Sequence, residues 1–226
     1  MIERVLAIPP KRFDRRLVTF LTEPELDALL AAPASSTSTG RRDRALLALA
    51  AQTGLRASEL IGLQCADVHL GAGAHVSCLG KGRKLRITPL TSGTIAVVRV
   101  WVAERAGQPA EPLFVTKTGG ALSRDAIEHR LAKYVALATA TCPSLGQKNV
   151  TLHVLRHTAA MRLLRAGIDT AVIALWLGHE QLETTQIYLQ ADLDIKERAL
   201  AKTAQANTKP GRYQPADKLL TFLEAL

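Results

Sequence analysis

Four short stretches of this 226-residue chain carry side chains suited to gripping or attacking an anion. The first runs Thr53, Gly54, Leu55, Arg56, Ala57, Ser58, Glu59, Leu60. It places Arg56 where a helix begins, although the positive end of a helix dipole disfavours a cation. Arg56 is therefore either a surface arginine beside a cap or a guanidinium aimed, with nearby backbone N–H groups, at a bound phosphate. The second stretch, Leu79 to Arg86, sets Lys81 between Gly80 and Gly82 on or beside a hairpin tip, with Arg83, Lys84 and Arg86 following. It lacks the spacing and the trailing Ser or Thr of a phosphate-cradling P-loop, so it reads as a solubilising basic hairpin or as an anion contact. The third, His153, Val154, Leu155, Arg156, His157, Thr158, puts His153 and Arg156 on one helix face. His157, one turn from His153, opens a two-histidine zinc alternative, but Val154 stands where a metalloprotease needs glutamate. The fourth holds Gly178, His179 and, nine residues on, Tyr188, one of only three tyrosines. Taken singly, Tyr188 reads as a core or surface aromatic.

The pattern around these stretches predicts a mainly α architecture with one small antiparallel β-sheet. Thr22, Pro24 and Glu25 begin a helix that runs to about Ala32, as in a capping box. Ser35 to Gly40 reads as a flexible loop, followed by a buried helix from Arg41 to Thr53 that stops at Gly54. A short helix is expected from Arg56 to Leu63, and alternation around Gly80 and Gly82 predicts a hairpin within 74–90. Helices are expected over about 91–106, 123–141, 151–166, 169–177 and 182–190, then over 192–206 and 215–226 on either side of Lys209, Pro210 and Gly211.

Composition bounds the partners. With 47% apolar residues the chain is globular, and 29 Lys and Arg against 20 Asp and Glu leave a net charge of +9. The excess is concentrated: eight basic residues stand against three acidic ones between Arg41 and Arg86, whereas residues 1–40 balance. A concentrated patch suits a polyanion, nucleic acid first. Arg41, Arg42, Arg44, Arg83, Lys84 and Arg86 are the candidate DNA contacts. No stretch reaches the length of a membrane span, and no hydrophobic signal core opens the chain. Cys65, Cys78 and Cys142 are scattered, which implies no disulfide framework and fits a reducing cytoplasm. Nothing reads as a metal site.

Taken together, the four stretches resemble the catalytic domain of the tyrosine recombinase (phage integrase) family, over about residues 20–200. The order Arg56, Lys81, His153, Arg156, His179, Tyr188 is similar to that family's whole active-site set. The likeness implies that family's fold and a site-specific strand exchange through a covalent 3′-phosphotyrosyl link, without metal or nucleotide cofactor. Carried over residue by residue, it implies Tyr188 as nucleophile and Arg56 and Arg156 as phosphate clamps. It implies His153 as proton acceptor for Tyr188 or donor to the phosphate, His179 as a further donor, and Lys81 as general acid.

The resemblance also implies double-stranded DNA as partner, and a tetramer on DNA or pairing with an intact recombinase. Residues 1–20, with the basic run Lys11 to Arg16, resemble an interdomain linker with the upstream core-binding domain absent. Residues 21–206 then form the catalytic domain and 207–226 a tail helix. The rival readings are a non-catalytic DNA-binding remnant, a type IB topoisomerase-like nicking-closing activity, and a metal-dependent nuclease.

Overall fold

The structure, a computed structural model, describes residues 18–80, 85–178, 185 and 188. The chain divides into two units, Met1–Ala191 and Asp192–Leu226. The second lies outside the described residues, and with it the helices expected over 192–206 and 215–226.

The described part is mainly helical with a three-stranded antiparallel sheet. In chain order the elements are α1 (Glu23–Ala31), α2 (Ser38–Thr53), α3 (Ala57–Ile61), β1 (Val68–His69), β2 (His75–Leu79) and β3 (Leu85–Pro89). Then come α4 (Ser92–Arg105), α5 (Arg124–Ala138), α6 (Leu152–Arg165) and α7 (Thr170–Leu177). Strand order is β1-β2-β3, with Val68 opposite Val76 and Cys78 opposite Arg86. No helix among the described residues is long and apolar enough to cross a membrane.

The core is built around α2. Ala45 through Ala51 are all buried, as expected of a helix apolar on every side, and α4 and α6 pack against it. Helix α2 begins earlier than its apolar run suggests. Thr37 caps it by accepting from the Gly40 N–H at 3.0 Å, so half of the expected Ser35 to Gly40 loop is helical. The two-residue strand β1 also escapes a sequence reading, being too short to show alternation.

The start of the described chain is tied down by polar contacts. The Leu21 N–H donates to Thr158 Oγ1 at 2.9 Å, and Lys148 Nζ donates to the Phe20 carbonyl at 2.9 Å and to Glu25 Oε2 at 2.6 Å. Glu25 also accepts from the Thr22 N–H and the Ser144 hydroxyl. Burial alone would raise the Glu25 pKa; these donors outweigh it and hold the carboxyl at about 2, against an ordinary 4.5.

Candidate active site

The last carbonyls of a helix lack intrahelical partners and carry the negative end of its dipole. At the C-terminus of α7, three consecutive carbonyls each accept one arginine. Arg86 Nη1 donates to the Trp176 carbonyl at 2.8 Å, Arg156 Nη2 to Leu177 at 2.7 Å, and Arg56 Nη2 to Gly178 at 2.9 Å. Arg156 Nη1 also donates to the Gly54 carbonyl at 2.6 Å, at the end of α2. The arginines come from β3, from α6 and from the cap of α3, so the end of α7 gathers residues distant in sequence.

Two glycines make this approach possible. Gly54 has φ +62°, and a Cβ there would lie 2.5 Å from Leu177 Cδ2. Gly178, with φ +65°, ends α7 in the left-handed conformation beside the Arg86 side chain.

Glu59 completes the cluster, and the sequence reading passed over it. Its side chain is 4% exposed and bridges two guanidiniums, Arg56 Nη1 at 2.9 Å and Arg86 Nη2 at 2.5 Å. It also accepts the Arg56 backbone N–H at 2.8 Å, so a carboxylate answers the dipole that would otherwise disfavour a cation at this helix start. The signal was present in the sequence as the three-residue spacing from Arg56 to Glu59.

Among the described residues, this one carboxylate faces three guanidiniums. Burial, then the charges of Arg56 and Arg86, lower the pKa of Arg156 to about 10, so it remains charged at neutral pH while crowded by its own sign. Arg86 Nε is buried without a hydrogen-bond partner among the described residues. Among the described residues the cluster therefore carries more positive than negative charge, the condition that binding an anion relieves.

His153, Arg156 and His157 project from the first turns of α6, whose cap is Thr151 accepting from the Val154 N–H. Arg156 and His153 both line a cleft of about 950 Å³, together with Arg56, Arg124, Glu128 and Asn149. His153 is exposed there. Desolvation, then the charges of Arg156 and Arg56, push its pKa below the usual histidine value. His157 points elsewhere: its Nδ1 is 2.9 Å from the Tyr188 hydroxyl, and its ring meets that of His153 edge-on at 4.2 Å. Tyr188 is helical, 2% exposed, and does not line the cleft. Burial raises its pKa, with the Arg156 charge acting the other way. No group of three metal-ligating side chains is found among the described residues.

The structure thus brings Arg56, His153, Arg156 and Tyr188 to one end of α6 and α7. Lys81 and His179 lie outside the described residues, as do Arg83 and Lys84. Two of the expected DNA contacts lie in the interior. Arg42 is 3% exposed, donates to Asp43 at 2.8 Å and to the Val115 carbonyl at 2.6 Å, and so presents no charge to a ligand. Arg86 has a side chain 9% exposed and is committed to Glu59 and Trp176, inside the site rather than on a DNA-facing surface. Arg41 pairs with Glu104 at 2.6 Å, which locally compensates its charge; Arg44 is half-buried.

Comparison with known proteins gives consistent matches. The family model described as "Phage integrase family" matches residues 19–194. "Putative integrase/recombinase y4rC" of Sinorhizobium fredii is 55% identical over 225 residues, covering 100% of this chain and 68% of that protein. "Tyrosine recombinase XerD" of Neisseria meningitidis serogroup B is 36% identical over 186 residues, covering 80% of this chain and 61% of the relative. Among solved structures, the XerA recombinase aligns with a TM-score of 0.69 at 28% identity, over 84% of this chain and 66% of that one. The XerH recombinase bound to its difH substrate, in a post-cleavage complex, aligns with a TM-score of 0.66 at 27% identity, over 82% of this chain and 53% of that one. The chain therefore spans between about half and two thirds of the length of these proteins.

Proposed function

The chain belongs to the phage integrase family, and we propose that it breaks and rejoins double-stranded DNA through a covalent 3′-phosphotyrosyl intermediate at Tyr188. The observation that carries this reading is the excess of guanidinium over carboxylate among the described residues at the end of α7, next to a tyrosine whose hydroxyl is already hydrogen-bonded to an imidazole. Phosphoryl transfer spreads negative charge over the non-bridging oxygens, and forked guanidiniums suit that charge. Arg56 and Arg156 take this role, fixed in place before DNA arrives by carbonyls and by Glu59. His153, exposed in the cleft, donates to the phosphate. Lys81 protonates the leaving 5′-oxygen, and His179 adds a further donor.

The partner is duplex DNA, engaged by a homo-oligomer or together with another recombinase, in the cytoplasm. The XerH structure, solved with its DNA substrate, supports DNA as the ligand class. Trapping on a nicked suicide duplex tests the reading. A stable protein–DNA adduct is expected with the unaltered chain, in the presence of EDTA, and none with Tyr188→Phe, which should still bind DNA. An adduct in that variant, or abolition by EDTA, would overturn the assignment.

A further inference from the structure

We propose that His157, rather than His153, is the proton acceptor that activates Tyr188. This rests on the reading of Tyr188 as nucleophile and adds the group that takes its proton. The Tyr188 hydroxyl lies 2.9 Å from His157 Nδ1, within the reach a general base needs, and the two rings meet at 67°. Tyr188 is 2% exposed, so its proton is shielded from bulk solvent, and burial makes the phenol harder to ionise unaided. Arg156, the charge acting on Tyr188, cannot accept a proton. His153 instead stands exposed in the cleft and touches His157 by its ring edge. One helix, α6, thus carries both functions at positions one turn apart: a donor for the phosphate at 153 and a base for the nucleophile at 157.

For the hydroxyl to donate, Nδ1 must carry the lone pair and Nε2 the proton. In the attack, the Tyr188 Oη–phosphorus bond forms and the phosphorus–O5′ bond breaks. The phenol proton passes to His157 Nδ1, giving an imidazolium, while O5′ takes its proton from the acid assigned to Lys81. Religation reverses both transfers, with the imidazolium returning its proton to the departing phenolate.

The test is single-turnover adduct formation on a nicked suicide duplex by the full chain. His157→Asn sets an amide near the place of Nδ1, keeping a hydrogen bond but no proton acceptor. It should slow adduct formation about 100-fold or more with DNA affinity unchanged. His157→Gly should be partly rescued by added imidazole. A more acidic fluorotyrosine placed at 188 should narrow the gap between His157→Asn and the parent to less than about tenfold, since a weaker base then suffices. Cleavage by His157→Asn within about threefold of the parent, or a gap that fluorotyrosine leaves unchanged, would overturn the proposal. A measurement without substitution in the site guards against misfolded variants. Nitrogen-15 NMR of the histidines should show His157 neutral with the proton on Nε2, and a proton on Nδ1 would overturn the proposal. A DNA-bound parent chain that forms no adduct would instead strike the assignment of Tyr188 itself.

Discussion

Replacing Arg86 by Met separates an interior arginine from a DNA-contacting one. The substitution removes three hydrogen bonds: Nη1 to the Trp176 carbonyl, Nη2 to Glu59 Oε2, and a longer one from Nη2 to Cys78 Sγ. The Trp176 carbonyl loses its arginine, at about 1–3 kcal/mol for an acceptor left unsatisfied. Glu59, 4% exposed, keeps Arg56, so the loss there falls below the roughly 3–5 kcal/mol of fully orphaning a buried charge. Methionine returns some apolar packing. The net expectation is a destabilisation of about 2–4 kcal/mol, or a fall in Tm of about 5–15 °C for a chain of this size. Thermal unfolding by circular dichroism reads this directly. Adduct formation should fall as well, because Glu59 then holds Arg56 with one fewer restraint. The distinguishing readout is the salt dependence of DNA binding. A phosphate-contacting arginine contributes about one unit to the slope of log K against log salt, and its removal lowers the slope by that amount. An arginine buried against Glu59 and Trp176 leaves the slope unchanged. A variant of parental Tm whose salt slope drops by about one would refute the interior placement.

Other consequences follow from named contacts. Arg42→Met should lower stability by about 2–4 kcal/mol, because Asp43 loses its buried guanidinium and keeps only Tyr134 and the more distant Arg130 among the described residues, yet leave the salt slope of DNA binding intact; a reduced slope at parental Tm would contradict its burial. Gly54→Ala should lower stability by about 2–3 kcal/mol, from left-handed backbone strain and a Cβ 2.5 Å from Leu177 Cδ2, and should slow cleavage because the Gly54 carbonyl anchors Arg156. Glu25 has its pKa depressed to about 2, so the stability it contributes is present above pH 4.5 and is lost as pH falls from there toward 2. Solvent around the partly exposed Lys148 trims that contribution to about 1–2 kcal/mol, and acid denaturation of Glu25→Gln should lack this part of the pH dependence.

Much of the site was legible in the sequence because its residues sit on local signals. Thr22 with Glu25, Thr151 and Ser123 mark helix starts within a turn of where the structure places them. Gly54 and Gly178 mark helix ends, and the face shared by His153 and Arg156 follows from helical spacing. What escaped depends on contacts between distant segments. Arg86 looks exposed in a run of basic residues, yet its partner carbonyl is at Trp176, 90 positions away. Arg42 looks like one more surface charge, although Asp43 beside it hinted at a buried pair. His157 entered the sequence reading only through a zinc alternative that Val154 spoke against, because its contact with Tyr188 spans 31 positions. Charge type predicts exposure only on average; where a helix terminus offers unpaired carbonyls, an arginine goes inward.

The central claim is that Tyr188 becomes covalently joined to DNA under the hold of Arg56 and Arg156. Its most direct test is to trap the chain on a nicked suicide duplex, digest the product with protease, and identify the nucleotide-bearing peptide by mass spectrometry. The account predicts a single modified peptide containing Tyr188, joined through phosphate to a 3′ end, with a free 5′-hydroxyl on the released strand. Attachment at another residue, a 5′-phosphate linkage, or cleaved DNA with no covalent peptide would contradict it.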